Sequence, residues 1–91
     1  LDQINDMSGG IRMKAKVYVT LKKSIADPQG NAIQNALRKL GYTNVEEVRI
    51  GKLIELDLGD ITADEANAQL VKMCEGLLAN TVIEEYKFEL C

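Results

Sequence analysis

Ninety-one residues, 46% hydrophobic and 27% charged, with seven Gly and one Pro, make about one small domain and exclude a disordered, collagen-like or low-complexity chain. His and Trp are absent, which removes the commonest general base and the commonest metal ligand together and argues against a self-sufficient enzyme. Eleven basic and 14 acidic residues leave a net charge of −3, without the cationic excess that drives nucleic-acid binding, and no apolar run approaches the ~18 residues of a membrane span.

The chain opens on residues 1–12, which lack the charged-then-apolar pattern of a signal peptide and contain Ser8-Gly9-Gly10, a flexible-linker composition. This stretch reads as a vector-derived or disordered extension, with Met13 as the natural start and residues 13–91 as a single domain. Residues 14–23 then alternate. Ala15, Val17, Val19 and Leu21 point one way and Lys14, Lys16, Tyr18, Thr20 and Lys22 the other, which predicts a half-buried strand.

Asp27-Pro28 is a helix start, with Asp as N-cap and Pro in the first helical position. Ile33, Ala36, Leu37 and Leu40 follow on one face. Arg38 and Lys39 suit the last turn, and Gly41 supplies the left-handed residue after it, so a helix is expected over residues 28–40.

Residues 45–58 form a second β region. Val48, Ile50, Ile54, Leu56 and Leu58 share one parity and Glu47, Arg49, Glu55 and Asp57 the other, with Gly51-Lys52 between the two apolar groups. A three-residue hairpin loop at 51–53 keeps every even residue inward, whereas a two-residue loop would bury Glu55. Thr62-Ala63-Asp64-Glu65 is a capping box, and Ala66, Leu70, Met73, Cys74, Leu77 and Leu78 make the apolar face of a second helix, with Asn80 at its end. Residues 82–90 are a strand with Tyr86, Phe88 and Leu90 on one face.

The resulting order, β-α-β-β-α-β, predicts an α+β, ferredoxin-like fold: an antiparallel sheet with two helices on one face. The usual strand order of that fold puts the first strand between the third and the fourth. Lys14, Lys16 and Lys22 then face Glu55, Asp57, Glu85 and Glu89. This accounts for an uneven charge, seven basic and three acidic residues in 1–45 against four and eleven in 46–91, without an external ligand.

No nucleotide-binding glycine loop, no CxxC pair and few aromatic stacking platforms are present. Cys74 lies on an apolar helix face with no His to activate it and is expected to be a buried core thiol, while Cys91 ends the chain. Without a secretory signal the two cysteines point to a reducing cytosol. Asp27 and Gln29 stand at a helix start, where the Asp already occupies the anion position. Arg49, Gly51 and Lys52 place two cations around a tight turn able to dock an acidic partner. Asn80 and Thr81 sit in an exposed helix stop. These seven residues, Asp27, Gln29, Arg49, Gly51, Lys52, Asn80 and Thr81, are the candidate partner interface. No catalytic, cofactor-binding or metal-binding residue is expected.

The run Lys14-Ala15-Lys16-Val17-Tyr18-Val19-Thr20-Leu21-Lys22 with Asp27-Pro28-Gln29-Gly30 resembles the opening of the PurS family, the small subunits of phosphoribosylformylglycinamidine synthase. Leu40-Gly41-Tyr42 and Val48-Arg49-Ile50-Gly51-Lys52 resemble its middle, and Cys74-Glu75 with Leu78-Ala79-Asn80-Thr81-Val82-Ile83-Glu84 its end. The likeness runs from residue 13 to 90 in order; residues 1–12 have no counterpart. It implies a non-catalytic cytoplasmic subunit of a purine-biosynthetic ligase that uses ATP, Mg and glutamine. This subunit would bridge the glutaminase (PurQ) and the ATP-dependent synthetase (PurL) and support ammonia transfer between them. It implies a homodimer or dimer of dimers, no cofactor bound by this subunit alone, no nucleic acid and no membrane. The alternative that the fold leaves open is an ACT-like regulatory domain that binds small molecules. A small hydrolase of the acylphosphatase kind would need a cationic phosphate loop for which Lys22 and Lys23 are the sole candidates.

Overall fold

The structure, a computed structural model, describes residues 12–91. The expectation for the N-terminal extension therefore lies outside the described residues except at Arg12, which opens the first strand. The elements are β1 (Arg12–Leu21), α1 (Pro28–Lys39), β2 (Gly51–Asp60), α2 (Ala63–Met73), a π-helical turn (Cys74–Leu78) and β3 (Glu84–Leu90).

β1 lies at the centre of an antiparallel sheet of order β2-β1-β3, the placement expected of the first strand in a ferredoxin-like α+β fold. Its period-two pattern explains why. Ala15, Val17 and Val19 are buried: Val17 faces Ile54 and Phe88, Ala15 faces Leu56 and Leu90, and Val19 faces Tyr86 on one side and Lys52 on the other. Burying a Val or Leu side chain of this kind stabilises by ~1.5–3 kcal/mol. α2 covers this face with Ala66, Leu70 and Cys74, all 0% exposed and spaced by one helical turn. Its capping box forms as expected, with Glu65 N–H donating to Thr62 Oγ1 and Thr62 N–H to Glu65 Oε1, each at 3.1 Å.

Two local readings change. The expected hairpin loop at residues 51–53 is instead the start of β2: Gly51, Lys52 and Leu53 pair with Thr20, Val19 and Tyr18. Residues 45–50 form no strand within this chain. Gly51 is a glycine of close approach rather than of a turn, because a Cβ there would lie 2.7 Å from Thr20 Cγ2 and 2.8 Å from the Val19 oxygen. The inward parity of Ile54, Leu56 and Leu58 survives, since those three residues pack against the core. The second change is at Leu77, expected inside and found 83% exposed. The Ala79 N–H reaches back five residues to the Cys74 oxygen, and this wider turn rotates the helix phase so that Leu78 rather than Leu77 meets the core.

α1 is built as predicted, with Asp27 as N-cap, Pro28 at its first turn and Gly41 at φ 103° after its end. Its apolar stripe contributes nothing to the core: Ile33 is 40% and Leu40 74% exposed. Residues 45–48 return along the helix instead. Gln34 Nε2 donates to the Val45 and Glu46 oxygens at 3.2 and 2.7 Å, and Gly30 lies hard against the Val48 carbonyl.

That contact gives a differential prediction. Gly30→Ala and Gly51→Ala should each cost ~1–3 kcal/mol through overpacking against backbone. Gly76→Ala, with nothing within 4 Å of its added carbon, should be neutral or stabilise by up to ~1 kcal/mol. Denaturant unfolding of the three variants checks it, and equal costs would contradict the packing account.

Candidate functional site

The seven sequence-predicted interface residues come together at one end of the sheet, where β1 finishes and β2 and β3 begin. The short connection from β1 to α1 brings Asp27 under the start of β2, and it is 4% exposed. Its Oδ1 accepts from Gly30 N–H at 2.8 Å, the expected helix cap, and its Oδ2 accepts from Ile50 N–H at 2.7 Å. One carboxylate thus ties the start of α1 to the residue that leads into β2.

Arg49 is committed inward. Its Nη2 donates to the Lys22 and Ile25 oxygens at 2.9 and 3.1 Å and reaches the Leu21 oxygen at 3.5 Å. It therefore clamps carbonyls of the turn from β1 toward α1, among them the Lys22 oxygen that also accepts from Ile25 N–H at 2.9 Å. Lys52 pairs with Val19 and is exposed. Asp27, Gln29, Gly51 and Lys52 line an open depression of about 290 Å³ together with Glu84. Glu84 extends the cluster to the last pair, because its Oε1 accepts from Asn80 N–H at 2.7 Å. Asn80 Oδ1 in turn accepts from Val82 N–H at 3.2 Å, and Thr81 is exposed in the same turn.

The electrostatics follow from these contacts. The bonds from Ile50 and Gly30, helped by the nearby Arg49 charge, hold the Asp27 carboxyl below the usual range although burial opposes them. Burial, with the Glu75 charge beside it, pushes the Cys74 thiol up, as befits a core thiol rather than a nucleophile. Asp57 is held low by its 2.8 Å ion pair with Arg12. Among the described residues no group of three His, Cys, Asp or Glu could hold a metal ion, and no helix is long and apolar enough to cross a membrane.

Sequence reasoning missed several members of this framework. Glu84 falls within a strand pattern, and nothing in its spacing marks it as the holder of Asn80. Gln34 is a polar position on α1 whose partners are backbone oxygens that carry no sequence signal. On the sheet, Tyr18 donates to Glu89 at 3.1 Å beneath the Lys87 ammonium, and Tyr86 donates to Glu75 at 2.7 Å. Both acceptors raise the tyrosine pKa.

The described residues form a ferredoxin-like α+β module whose polar side chains at one end of the sheet mostly fix backbone and build no catalytic cluster among themselves. Comparison with known proteins makes this particular. The family model described as PurS, phosphoribosylformylglycinamidine (FGAM) synthase, matches residues 14–91. The PurS subunit of Bacillus subtilis (strain 168) is 51% identical over 77 residues, spanning 85% of this chain and 90% of that protein. The PurS subunit of a Synechocystis species is 53% identical over 75 residues, spanning 82% and 75%. Among solved structures, a C2 crystal form of B. subtilis PurS superposes with a TM-score of 0.78 at 48% identity, covering 87% of this chain and 98% of that one. A chain in the structure of PurLQS from Thermotoga maritima gives 0.80 at 31% identity, covering 89% and 99%. The chain belongs to the PurS family, the PurS subunits of phosphoribosylformylglycinamidine synthase in purine biosynthesis. The match across residues 14–91 does not favour the ACT-like reading.

Asp27 yields a pH prediction. Its folded value is depressed, so its contribution to stability is fully present above the ordinary Asp value of ~3.9 and is lost as pH falls through the folded value. Asp27→Asn should lower stability at neutral pH and flatten the decline below about pH 4. Denaturant titrations from neutral to acid pH measure this; an unchanged acid-side slope in the variant would contradict it.

Proposed function

We propose that this chain bridges the glutaminase subunit (PurQ) and the ATP-dependent synthetase subunit (PurL) of phosphoribosylformylglycinamidine synthase, in the cytoplasm, and has no active site of its own. The observation that carries the reading is the family match over residues 14–91, joined to the close superposition on a chain of PurLQS. In this reading ATP, Mg and glutamine are used by the partner subunits and none is bound by this one.

The physical need for such a subunit is clear. Ammonia released into water protonates and ceases to be a nucleophile, so two active sites that share it gain from being held in register with water excluded between them. The polar end of the sheet suits that task. Asp27, Arg49, Gly51 and Asn80 fix backbone there, which leaves the exposed Gln29, Lys52 and Thr81 on a stiff base for contact with a partner. Self-association as a homodimer or dimer of dimers is supported by what the chain leaves uncovered. The stripe of Ile33 and Leu40 is exposed, Tyr42 beside it is 56% exposed, and β2 lies at the edge of the sheet.

Lys52→Glu combined with Thr81→Arg tests the bridging role. Glutamine-dependent synthesis by the reassembled complex should fall on the order of tenfold, while ammonia-dependent synthesis at saturating ammonia is largely kept. Equal loss in both assays, or no loss in either, would overturn the assignment of coupling to this end of the sheet.

A further inference from the structure

We propose that Glu84 and Tyr86 of β3 are positioning residues that grip the two ends of the turn leaving α2, and that this grip selects the π-helical register in which Leu78 enters the core and Leu77 is turned to solvent. The inference stands apart from the bridging role and concerns which side chain the protein shows beside Asn80 and Thr81.

The end of α2 has two registers open to it. Leu77 follows Leu70 by seven residues, so a plain α-helix would bring it within ~20° of Leu70 and onto the same face. Leu70 is 0% exposed. In the structure the Ala79 N–H donates instead to the Cys74 oxygen, five residues back, at 3.0 Å. The wider turn takes up one more residue, so Leu78 packs against the core and Leu77 is 83% exposed. Both contenders for the core position are leucines, and the apolar side chain to be buried is the same in either register. Hydrophobicity therefore does not choose between them, and a π turn, being rare, calls for a local cause.

That cause lies on β3. Glu84 and Tyr86 alternate onto one face of the strand and pair with Leu21 and Val19 of β1. Their Cα atoms are ~7 Å apart by strand geometry. Tyr86 OH donates to Glu75 Oε2 at 2.7 Å, at the start of the π turn. Glu84 Oε1 accepts from Asn80 N–H at 2.7 Å, just past its end. The Asn80 oxygen accepts in return from the Ile83 and Glu84 N–H groups at 3.0 and 2.7 Å, which closes the chain onto β3. Residues 76–79 are thus confined between two points held by neighbouring side chains of one strand. With both points fixed, the extra residue has to be taken up inside the turn, and the π bond from Ala79 to Cys74 is how it is taken up. The exposed Leu77 joins Val82, 78% exposed, on either side of Asn80 and Thr81 in the sequence. The grip accordingly decides which leucine accompanies that polar pair at the surface.

The test is nuclear magnetic resonance on the full, isotopically labelled chain in whatever oligomer it forms. Scalar coupling across a hydrogen bond links a donor nitrogen to its acceptor carbonyl within one molecule, so it reads the register directly. In the unsubstituted chain the Ala79 nitrogen should couple to the Cys74 carbonyl. Tyr86→Phe keeps the ring and removes the donor, and should weaken that coupling. Tyr86→Phe combined with Glu84→Met should abolish it and replace it by coupling of the Leu78 nitrogen to the same carbonyl, with Leu77 methyls now in contact with the core. Glu75→Gln retains an oxygen that can accept from Tyr86 and should keep the original pattern.

An undiminished Ala79–Cys74 coupling in the folded variants would overturn the grip and leave packing of Leu78 and Ala79 as the cause of the register. Loss of that coupling with no new one at Leu78 would overturn the two-register account. A loss in Glu75→Gln as complete as in the double variant would overturn hydrogen bonding as the means of the grip. If the double variant does not fold, Tyr86→Phe decides by itself, because its ring packing is unchanged.

Discussion

A single carboxylate, that of Asp27, holds two backbone N–H groups that lie 20 residues apart in the chain, and the polar end of the molecule depends on it. A buried carboxylate without partners would be costly, so the two short bonds and the neighbouring guanidinium are what allow it to stay charged there. In return it fixes where α1 begins and where β2 begins relative to each other. The depression lined by Gln29, Gly51 and Lys52 exists because those two starting points are pinned side by side.

The sheet is held by a different device. Its helix-bearing face is sealed by apolar residues of all three strands and α2, whereas the opposite face carries a ladder of charges. Lys16 stands between Glu55 and Glu89, and Lys14 opposite Asp57, so the basic first half of the chain is laid between acidic segments of the second. Neighbouring opposite charges on strands contribute ~0.2–1 kcal/mol each. A net charge of −3 thus conceals an internal match, and the surplus acidic groups fall outside it. Beyond solubility, the fold needs no ligand to neutralise that face.

The two helices divide the work. α2 gives its apolar face to the sheet and ends in a π turn, which seats Cys74 and Leu78 while turning Leu77 to solvent. α1 keeps its apolar stripe off the core and is joined to the body at its base. One helix builds the module and the other is carried by it. For a subunit whose family belongs to a multi-subunit ligase, that division places rigidity in the sheet and leaves an extended, partly apolar element for contact.

Local chemistry in the sequence determined much of this. The alternation of Ala15, Val17 and Val19, the Asp27-Pro28 start, the Gly41 stop and the Thr62–Glu65 capping box depend on neighbours within a turn or on a strict period, and each formed as read. So did the parity of Ile54, Leu56 and Leu58. The candidate residues were also found at one end of the fold. What tertiary structure decided was their role. Arg49 and Gly51, adjacent to the same apparent turn, became a carbonyl clamp and a point of close strand approach, because their partners lie nearly 30 residues upstream. Likewise the amphipathic stripe of α1 says that something should cover it, but periodicity records a face and not its occupant. Which helix the sheet accepts is set by how the whole chain packs, and that is a long-range fact with no local signature.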